Sequence, residues 1–270
     1  MAGVRLPLRL GVASVLTVLL VGPFALLAIF VAGSWTPLHA FDASVSNAVH
    51  VWAVGHPAVV DAMEVWSLVF SPMALRAAAL VLIVWLFRRR AVRLAWWVIA
   101  TMTAGGVFAA LLKLLVERDR PEFLDPVARA AGYSFPSGHA ANAALACGVF
   151  LLVLLPLGRW RPALWTGAVV ITVVTGLTRI GLGVHFTSDV VAGWLLGLAM
   201  VTATTAAFHT RTRNERSSWV RTPRDSRAAS SQTGDRADRG LVAGDDRDRS
   251  AGDEGAEPGL AVHDRGRRQP

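Results

Sequence analysis

The sequence predicts an all-α, polytopic membrane protein with six transmembrane helices and both termini in the cytosol. Of its 270 residues, 53% are hydrophobic and only 17% are charged. Several apolar runs approach the length of about 20 residues that a helix needs to cross a bilayer. In addition, arginines cluster at alternate ends of these runs, as expected if positive residues stay on the cytosolic side.

The basic character of the chain has two possible explanations. A formal net charge of +8 and a pI near 11.3 would also suit a nucleic-acid partner. However, most arginines flank the apolar runs or lie near the C-terminus, where the membrane topology already accounts for them. We therefore expect no nucleic-acid partner. The single cysteine, Cys147, excludes an internal disulfide.

The first half of the chain predicts three membrane helices. The first, from about Leu10 to Ala32, is too long for an ordinary signal-peptide core. Residues 33–71 mix histidine, aromatic and acidic residues with apolar ones, which predicts one or two short helices at the outer interface. The second membrane helix is expected from Met73 to Phe87, with Arg76 near its outer end, and the third from Leu94 to about Leu115.

The second half predicts three more membrane helices and a tail. These helices are expected from about His139 to Leu157, from about Ala163 to Leu177, and from near Ser188 to about Phe208. Residues 210–270 are rich in Arg, Asp, Ser and Gly, which predicts a disordered cytosolic tail. Residues 1–209 are thus expected to form the membrane domain.

Three polar clusters fall at helix ends that the topology assigns to the outer side. They are Lys113 to Arg120, Ser137 with His139, and Arg179 with His185 and Asp189. A simple explanation is a solvated rim. Positive residues on this side run against the topological preference, however, and charges near the membrane are costly. The pattern therefore favours a functional site.

The stretch from Pro136 to His139 precedes the fourth membrane helix. Taken alone, it is equally well explained as a helix start that Ser137 caps. If three cations converge on this turn, their charges and its free backbone N–H groups would bind a tetraoxo anion such as phosphate. The candidate cations are Lys113, Arg120 and Arg179.

Two histidines could act on such an anion. His185 and Asp189 are four residues apart, so the carboxylate can hold one ring nitrogen while the other faces the anion. This arrangement makes His185 a candidate nucleophile, and His139 a candidate acid for the leaving oxygen. The acidic residues nearby alternate with arginines instead of grouping as ligands, so we expect no metal.

Three motifs follow one another in this region: Lys113-x6-Arg120-Pro121, Pro136-Ser137-Gly138-His139 and Arg179-x5-His185-x3-Asp189. In order and spacing they resemble the motifs of the type 2 phosphatidic acid phosphatase family. The resemblance covers roughly residues 94–208 and includes the inner arginine, Arg118. One departure is Thr178, which stands where the family usually has serine; we expect activity to survive with a slightly reshaped pocket.

The resemblance implies a metal-independent lipid phosphatase without cofactors. His185 would form a phosphohistidine, Asp189 would orient it, and His139 would be the acid. The phosphoryl oxygens would be held by Lys113, Arg120, Ser137, Gly138 and Arg179. The active site is expected at the extracytoplasmic side of the cell membrane, acting on phosphatidate, phosphatidylglycerol phosphate or a polyprenyl diphosphate, with no obligate protein partner evident.

The sequence is also compatible with two other functions. A phosphotransferase of the same fold would share the phosphohistidine step and differ only in the acceptor. A non-catalytic anion binder or transporter is the less favoured alternative, since transporters place polar groups near the bilayer midplane and the charges here gather at one end of the helices.

Overall fold

The structure is a computed structural model that describes residues 10–220. This part of the chain is helical and contains no strand. Its elements are α1 (Leu10–Ala32), α2 (Thr36–Val54), α3 (Pro57–Val69), α4 (Pro72–Arg88), α5 (Val92–Val116), α6 (Gly138–Leu154), a short 3₁₀ helix (Leu155–Trp160), α7 (Arg161–Gly181) and α8 (Thr187–Val220). The prediction of an all-α protein is thereby confirmed for the described residues.

Five stretches of the described residues are long and apolar enough to cross a membrane. They are Gly11–Ala32, Pro57–Arg88, Val92–Val116, Gly158–Gly181 and Thr187–Phe208. The second stretch combines α3 and α4, whereas α6 is apolar but shorter. The chain is therefore a helical membrane protein, and the sixth crossing stays a prediction.

The helix boundaries follow local sequence signals. Four helices, α2, α3, α4 and α7, have a proline in their first two positions, where its missing N–H costs nothing. The Ser71 side chain caps α4 by accepting from the Ala74 amide at 3.2 Å. At the other end of α5, Glu117 adopts a left-handed conformation (φ +48°), which ends the helix and turns the chain into the loop that carries Arg118 and Arg120.

The structure refines two of the predicted boundaries. Helix α7 continues to Gly181, so Arg179 lies in its last turn and not in a glycine-rich break. Helix α8 continues to Val220, beyond the start of the predicted tail, and residues 221–270 lie outside the described part of the chain. The chain divides between Arg213 and Asn214 into two units, and the site described below lies in the first.

Helix α6 is the central element of the described fold, because it is buried along most of its length. It packs very closely against α8 through two glycines. A Cβ atom at Gly193 would lie 2.7 Å from the Ser137 carbonyl oxygen, and one at Gly197 would lie 2.6 Å from that of Ala141. This approach places the start of α8 beside the start of α6.

Candidate active site

The three predicted polar clusters meet at one end of the helices. Helices α5 and α7 end there, and α6 and α8 begin there. The Ser137 amide donates to the Asp189 carbonyl oxygen at 2.9 Å, which joins the second cluster to the third. The Ser134 amide donates to the Arg118 carbonyl oxygen at 2.8 Å, which ties the segment before the second cluster to the first.

His185 and Asp189 form a buried pair, with the side chains 3% and 0% exposed. His185 Nδ1 lies 3.4 Å from Asp189 Oδ2, which is an ion-pair separation but too long for a strong hydrogen bond. Among the described residues Nδ1 has no hydrogen-bond partner. Such contacts commonly shorten when substrate binds. Burial lowers the pKa of His185 to about 4, although Asp189 opposes this shift.

Arg120 lies on the opposite side of the His185 ring. Its guanidinium donates to four backbone carbonyls, those of Ala131, Gly132, Tyr133 and Val184. Its Nη1 is also 3.2 Å from His185 Nε2. Because a guanidinium only donates, Nε2 is assigned as the acceptor, and the ring proton is left on Nδ1, facing Asp189. Carbonyls are neutral, so the positive charge of Arg120 is still available to an anion.

Lys113 reaches the same point from α5. Its Nζ donates to the Tyr133 carbonyl oxygen at 2.6 Å, and Arg120 Nη2 contacts that oxygen at 3.2 Å. The Lys113 Cε atom is 4.0 Å from where a Cβ of Gly138 would stand. Two cations thus meet at the Tyr133 carbonyl oxygen, and Lys113 also lies beside the turn at the start of α6.

The turn itself leaves several donors free. The Ser137 side chain is fully buried and makes no capping bond, and its hydroxyl has no partner among the described residues. The explanation of this serine as a helix cap is therefore wrong. The first amides of α6, beginning with Gly138, have no intrahelical partners. This end of the helix also carries partial positive charge.

Arg179 and His139 complete the group of predicted residues. Arg179 is 9% exposed, and its Nε has no hydrogen-bond partner in the described part of the chain. His139 lies close enough to Arg179 and His185 for their charges to act on it, and a backbone group of Ser67 forms a hydrogen bond with it. All eight predicted site residues therefore belong to one end of the helical bundle.

Thr178 does not direct its hydroxyl towards these cations. Its Oγ1 donates to the Thr175 carbonyl oxygen at 2.9 Å and lies 3.2 Å from Ser67 Oγ. The hydroxyl is thus used in packing α7 against α3.

Two residues behind Asp189 extend the site beyond the sequence prediction. Arg118 Nη1 donates to Asp189 Oδ1 at 2.7 Å, and its Nη2 donates to Asp42 Oδ2 at 2.8 Å. Asp42, in α2, is 0% exposed and also accepts from the amide of Ser188 at 3.0 Å and from its hydroxyl. The sequence predicted only an interfacial position for the segment that forms α2. A single aspartate belongs to no motif, so no sequence signal identified Asp42 as part of the site.

Metal ligands are not grouped in the described residues. Within 10–220, no three His, Cys, Asp or Glu side chains lie close enough together to hold a metal ion. The arrangement instead combines cations, free N–H groups and two histidines, which suits binding of a tetraoxo anion and attack on its central atom.

The fold and the site therefore define a helical membrane protein with a cationic, histidine-containing candidate anion site. Residues 94–213 match the family model of the PAP2 superfamily, and all eight predicted site residues lie within this match. The match of this segment to the PAP2 superfamily confirms the resemblance to the type 2 phosphatidic acid phosphatases.

Three similar proteins are lipid phosphatases by name. The chain is 43% identical over 94 residues to phosphatidylglycerophosphatase B of Bacillus subtilis, covering 33% of this chain and 46% of that protein. It is 33% identical over 106 residues to an undecaprenyl-diphosphatase of Sulfolobus acidocaldarius, covering 36% of this chain and 48% of that protein. It is 34% identical over 110 residues to a lipid A 1-phosphatase of Rhizobium etli, covering 37% of this chain and 44% of that protein. The chain thus spans about half the length of these relatives.

A solved structure agrees over a longer part of the chain. The crystal structure of a transmembrane PAP2-type phosphatidylglycerolphosphate phosphatase from Bacillus subtilis superimposes with a TM-score of 0.63 at 26% identity. The match covers 70% of this chain and 93% of that one. The similarity therefore extends beyond residues 94–213 and into the preceding helices.

Proposed function

We propose that this protein is a metal-independent lipid phosphatase that cleaves a phosphomonoester or diphosphate of a membrane lipid. The observation that carries the proposal is the grouping of Lys113, Arg120 and Arg179 around His139 and the buried pair of His185 and Asp189, close enough for their charges to act on the two histidines. The names of the similar proteins support a lipid phosphate as substrate.

In the proposed mechanism, the substrate phosphate replaces the backbone carbonyls as the partner of the cations. Its oxygens are held by Lys113, Arg120 and Arg179 and by the free donors at Ser137 and Gly138. The free donors at Ser137 and Gly138 are in place before the substrate arrives, so they can stabilise the charge of the transition state without reorganisation. As Arg120 turns to the phosphate, its contact with His185 Nε2 weakens and the nitrogen lone pair becomes available.

His185 Nε2 then attacks phosphorus, and the bond between phosphorus and the lipid oxygen breaks. The negative charge of the bound phosphate favours the protonated form of His139. The departing oxygen takes this proton from His139, and the new positive charge on the His185 ring is stabilised by Asp189. In the second step, water donates a proton to His139 and attacks the phosphohistidine, which releases phosphate and restores neutral His185. Because burial holds the pKa of His185 near 4, the ring is neutral and nucleophilic at physiological pH.

The proposed topology has six membrane helices, cytosolic termini and an active site on the extracytoplasmic side of the cell membrane. Arginines lie at the ends of α4 and α7 that are far from the site, with Arg88 in the last turn of α4 and Arg161 as the first residue of α7. Positive residues favour the cytosolic side, so the opposite end, with the site, would face outwards.

Phosphate release tests this proposal. Purified full-length protein in detergent is given phosphatidate, phosphatidylglycerol phosphate or a polyprenyl diphosphate in the presence of EDTA, beside the His185→Ala variant. We expect release that resists EDTA and is lost in the variant. Release by His185→Ala at the wild-type rate would refute the mechanism. Loss of substrate with the phosphate found on a second lipid would identify a phosphotransferase instead.

A further inference from the structure

Arg76 is a cation in an apolar groove on the membrane-facing side of the bundle. The groove lies between α4 and α5 and has a volume of about 640 Å³. Apart from Arg76 and Thr103, its lining is apolar or glycine, and it includes Leu80, Ile83 and Met102. Arg76 lies in the second turn of α4, near the end of this helix that is closest to the candidate active site.

The Arg76 side chain turns inward across the bundle. Its Nε donates to Asn142 Oδ1 at 3.2 Å. A Cβ atom at Gly106 would lie only 2.9 Å from its Nη2, so the missing side chain at Gly106 makes room for the guanidinium. A long cation near a helix end usually extends to the membrane surface. Here, α5 and α6 hold it within the groove.

The groove leads towards the candidate active site along both of these helices. Asn142 Nδ2 donates to the Gly138 carbonyl oxygen at 2.8 Å, so Arg76 lies one helical turn from the phosphate-binding turn. On α5, Gly106, Ala110 and Lys113 share one face, because they are spaced four and three residues apart. Seven residues of helix separate Gly106 from Lys113, a distance of about 10 Å.

The positive charge of Arg76 forms no ion pair with a carboxylate in the described part of the chain. An unpaired charge with apolar surroundings is costly in a membrane protein and commonly marks a ligand path. A lipid whose terminal phosphate lies beside His185 would extend its remaining headgroup along this face of α5. An anionic group in that headgroup would neutralise Arg76.

We propose that Arg76 binds the phosphodiester of a glycerophospholipid substrate whose terminal phosphomonoester occupies the site at His185. This inference rests on the proposed function and narrows its substrate class. In such a lipid, a glycerol bridge of several single bonds separates the two phosphates. The length of this bridge, with a hydrogen bond of about 2.8 Å at each end, matches the separation of about 10 Å between Gly106 and Lys113 along α5. The phosphates of a diphosphate share one oxygen and lie too close together to reach both positions.

Substrate comparison in detergent tests the proposal. Phosphatidylglycerol phosphate carries both phosphates, whereas phosphatidate lacks the phosphodiester. We expect Arg76→Gln to lower kcat/KM for phosphatidylglycerol phosphate about tenfold, mainly by raising KM, because it loses a charge-assisted hydrogen bond. Its kcat/KM for phosphatidate should equal that of the wild type. Arg88→Gln, at the opposite end of α4, is the matched control and should change neither value.

Equal losses on both substrates, or no loss on either, would overturn the role of Arg76. A second measurement is independent of turnover. Phosphatidylglycerol keeps the phosphodiester but has no terminal phosphate, and its retention by the intact protein can be followed by native mass spectrometry. Retention that falls in Arg76→Gln supports the site, and equal retention overturns it. Wild-type protein that retains phosphatidylglycerol through Arg76 but releases no phosphate from phosphatidylglycerol phosphate would contradict the proposed function alone.

Discussion

Replacing Asp42 with asparagine tests how the buried network controls His185, the proposed nucleophile. Asp42 shares the Arg118 guanidinium with Asp189, and the contacts are 2.8 and 2.7 Å long. Without the Asp42 charge, the whole charge of Arg118 would act on Asp189. The Asp189 carboxylate would then attract the His185 ring less strongly and stabilise its positive charge less well when phosphorus is attacked.

The size of the effect follows from the lost contacts. Asp42 accepts from Arg118, from the Ser188 amide and from the Ser188 hydroxyl, and a hydrogen bond to a charged group contributes about 1.5–3 kcal/mol. Asparagine keeps one acceptor oxygen, so we expect the free energy of unfolding to fall by about 2–4 kcal/mol. If one to two pKa units of His185–Asp189 interaction are lost, kcat should fall roughly 10- to 100-fold.

The assay compares kcat, KM and thermal unfolding of Asp42→Asn with those of the wild type in detergent. KM should change little, because Asp42 is buried behind Asp189 and touches none of the phosphate-binding residues. Asp42→Glu, which keeps the charge, should recover part of kcat. Asp61→Asn, which removes an exposed acid on α3, is the control. A folded Asp42→Asn protein with wild-type kcat would refute the coupling.

Three further predictions concern pH, packing and the tail. The unfolded chain protonates His185 near pH 6.5 and the folded chain only near pH 4, so the free energy of unfolding should fall as pH drops through this range; His185→Asn should remove that part of the slope in thermal unfolding. Gly197→Ala would place a Cβ 2.6 Å from the Ala141 carbonyl oxygen and should cost about 1–3 kcal/mol of unfolding free energy; Gly22→Ala, with open space around it, should cost nothing. Deleting residues 221–270 should leave kcat unchanged, and a large loss would contradict a passive tail.

The sequence predicted the helices and the motif residues because both follow from local patterns. Apolar runs gave the bounds of α1 and, within two residues, those of α4 and α5. The motif spacings placed Lys113, Ser137 and His185 at helix ends, which antiparallel packing then brought together. Composition and short spacings carry this information without any knowledge of tertiary contacts.

The parts that the sequence missed depend on contacts between distant residues. Asp42 and Ser188 lie 146 positions apart, and no local pattern relates them. The inward course of Arg76 depends on Gly106 and Asn142, which lie on two other helices. The free Ser137 hydroxyl depends on side-chain geometry, because the same residues would also have suited a helix cap.

Because α6 and α8 are in close contact, the proposed catalytic residues can stay in place when the residues that would contact the rest of the lipid are changed. Gly193 and Gly197 bring the two backbones together without intervening side chains, and the Ser137 amide bonds directly to the carbonyl of Asp189. We therefore expect the proposed anion-binding turn and the helix start beside His185 to move as one rigid block. Substitutions on α4 and on the outward face of α5 can change which lipid is accepted while this block stays intact. A chimera that exchanges α1–α4 between relatives should consequently exchange their lipid preference and keep a common rate of phosphohistidine formation.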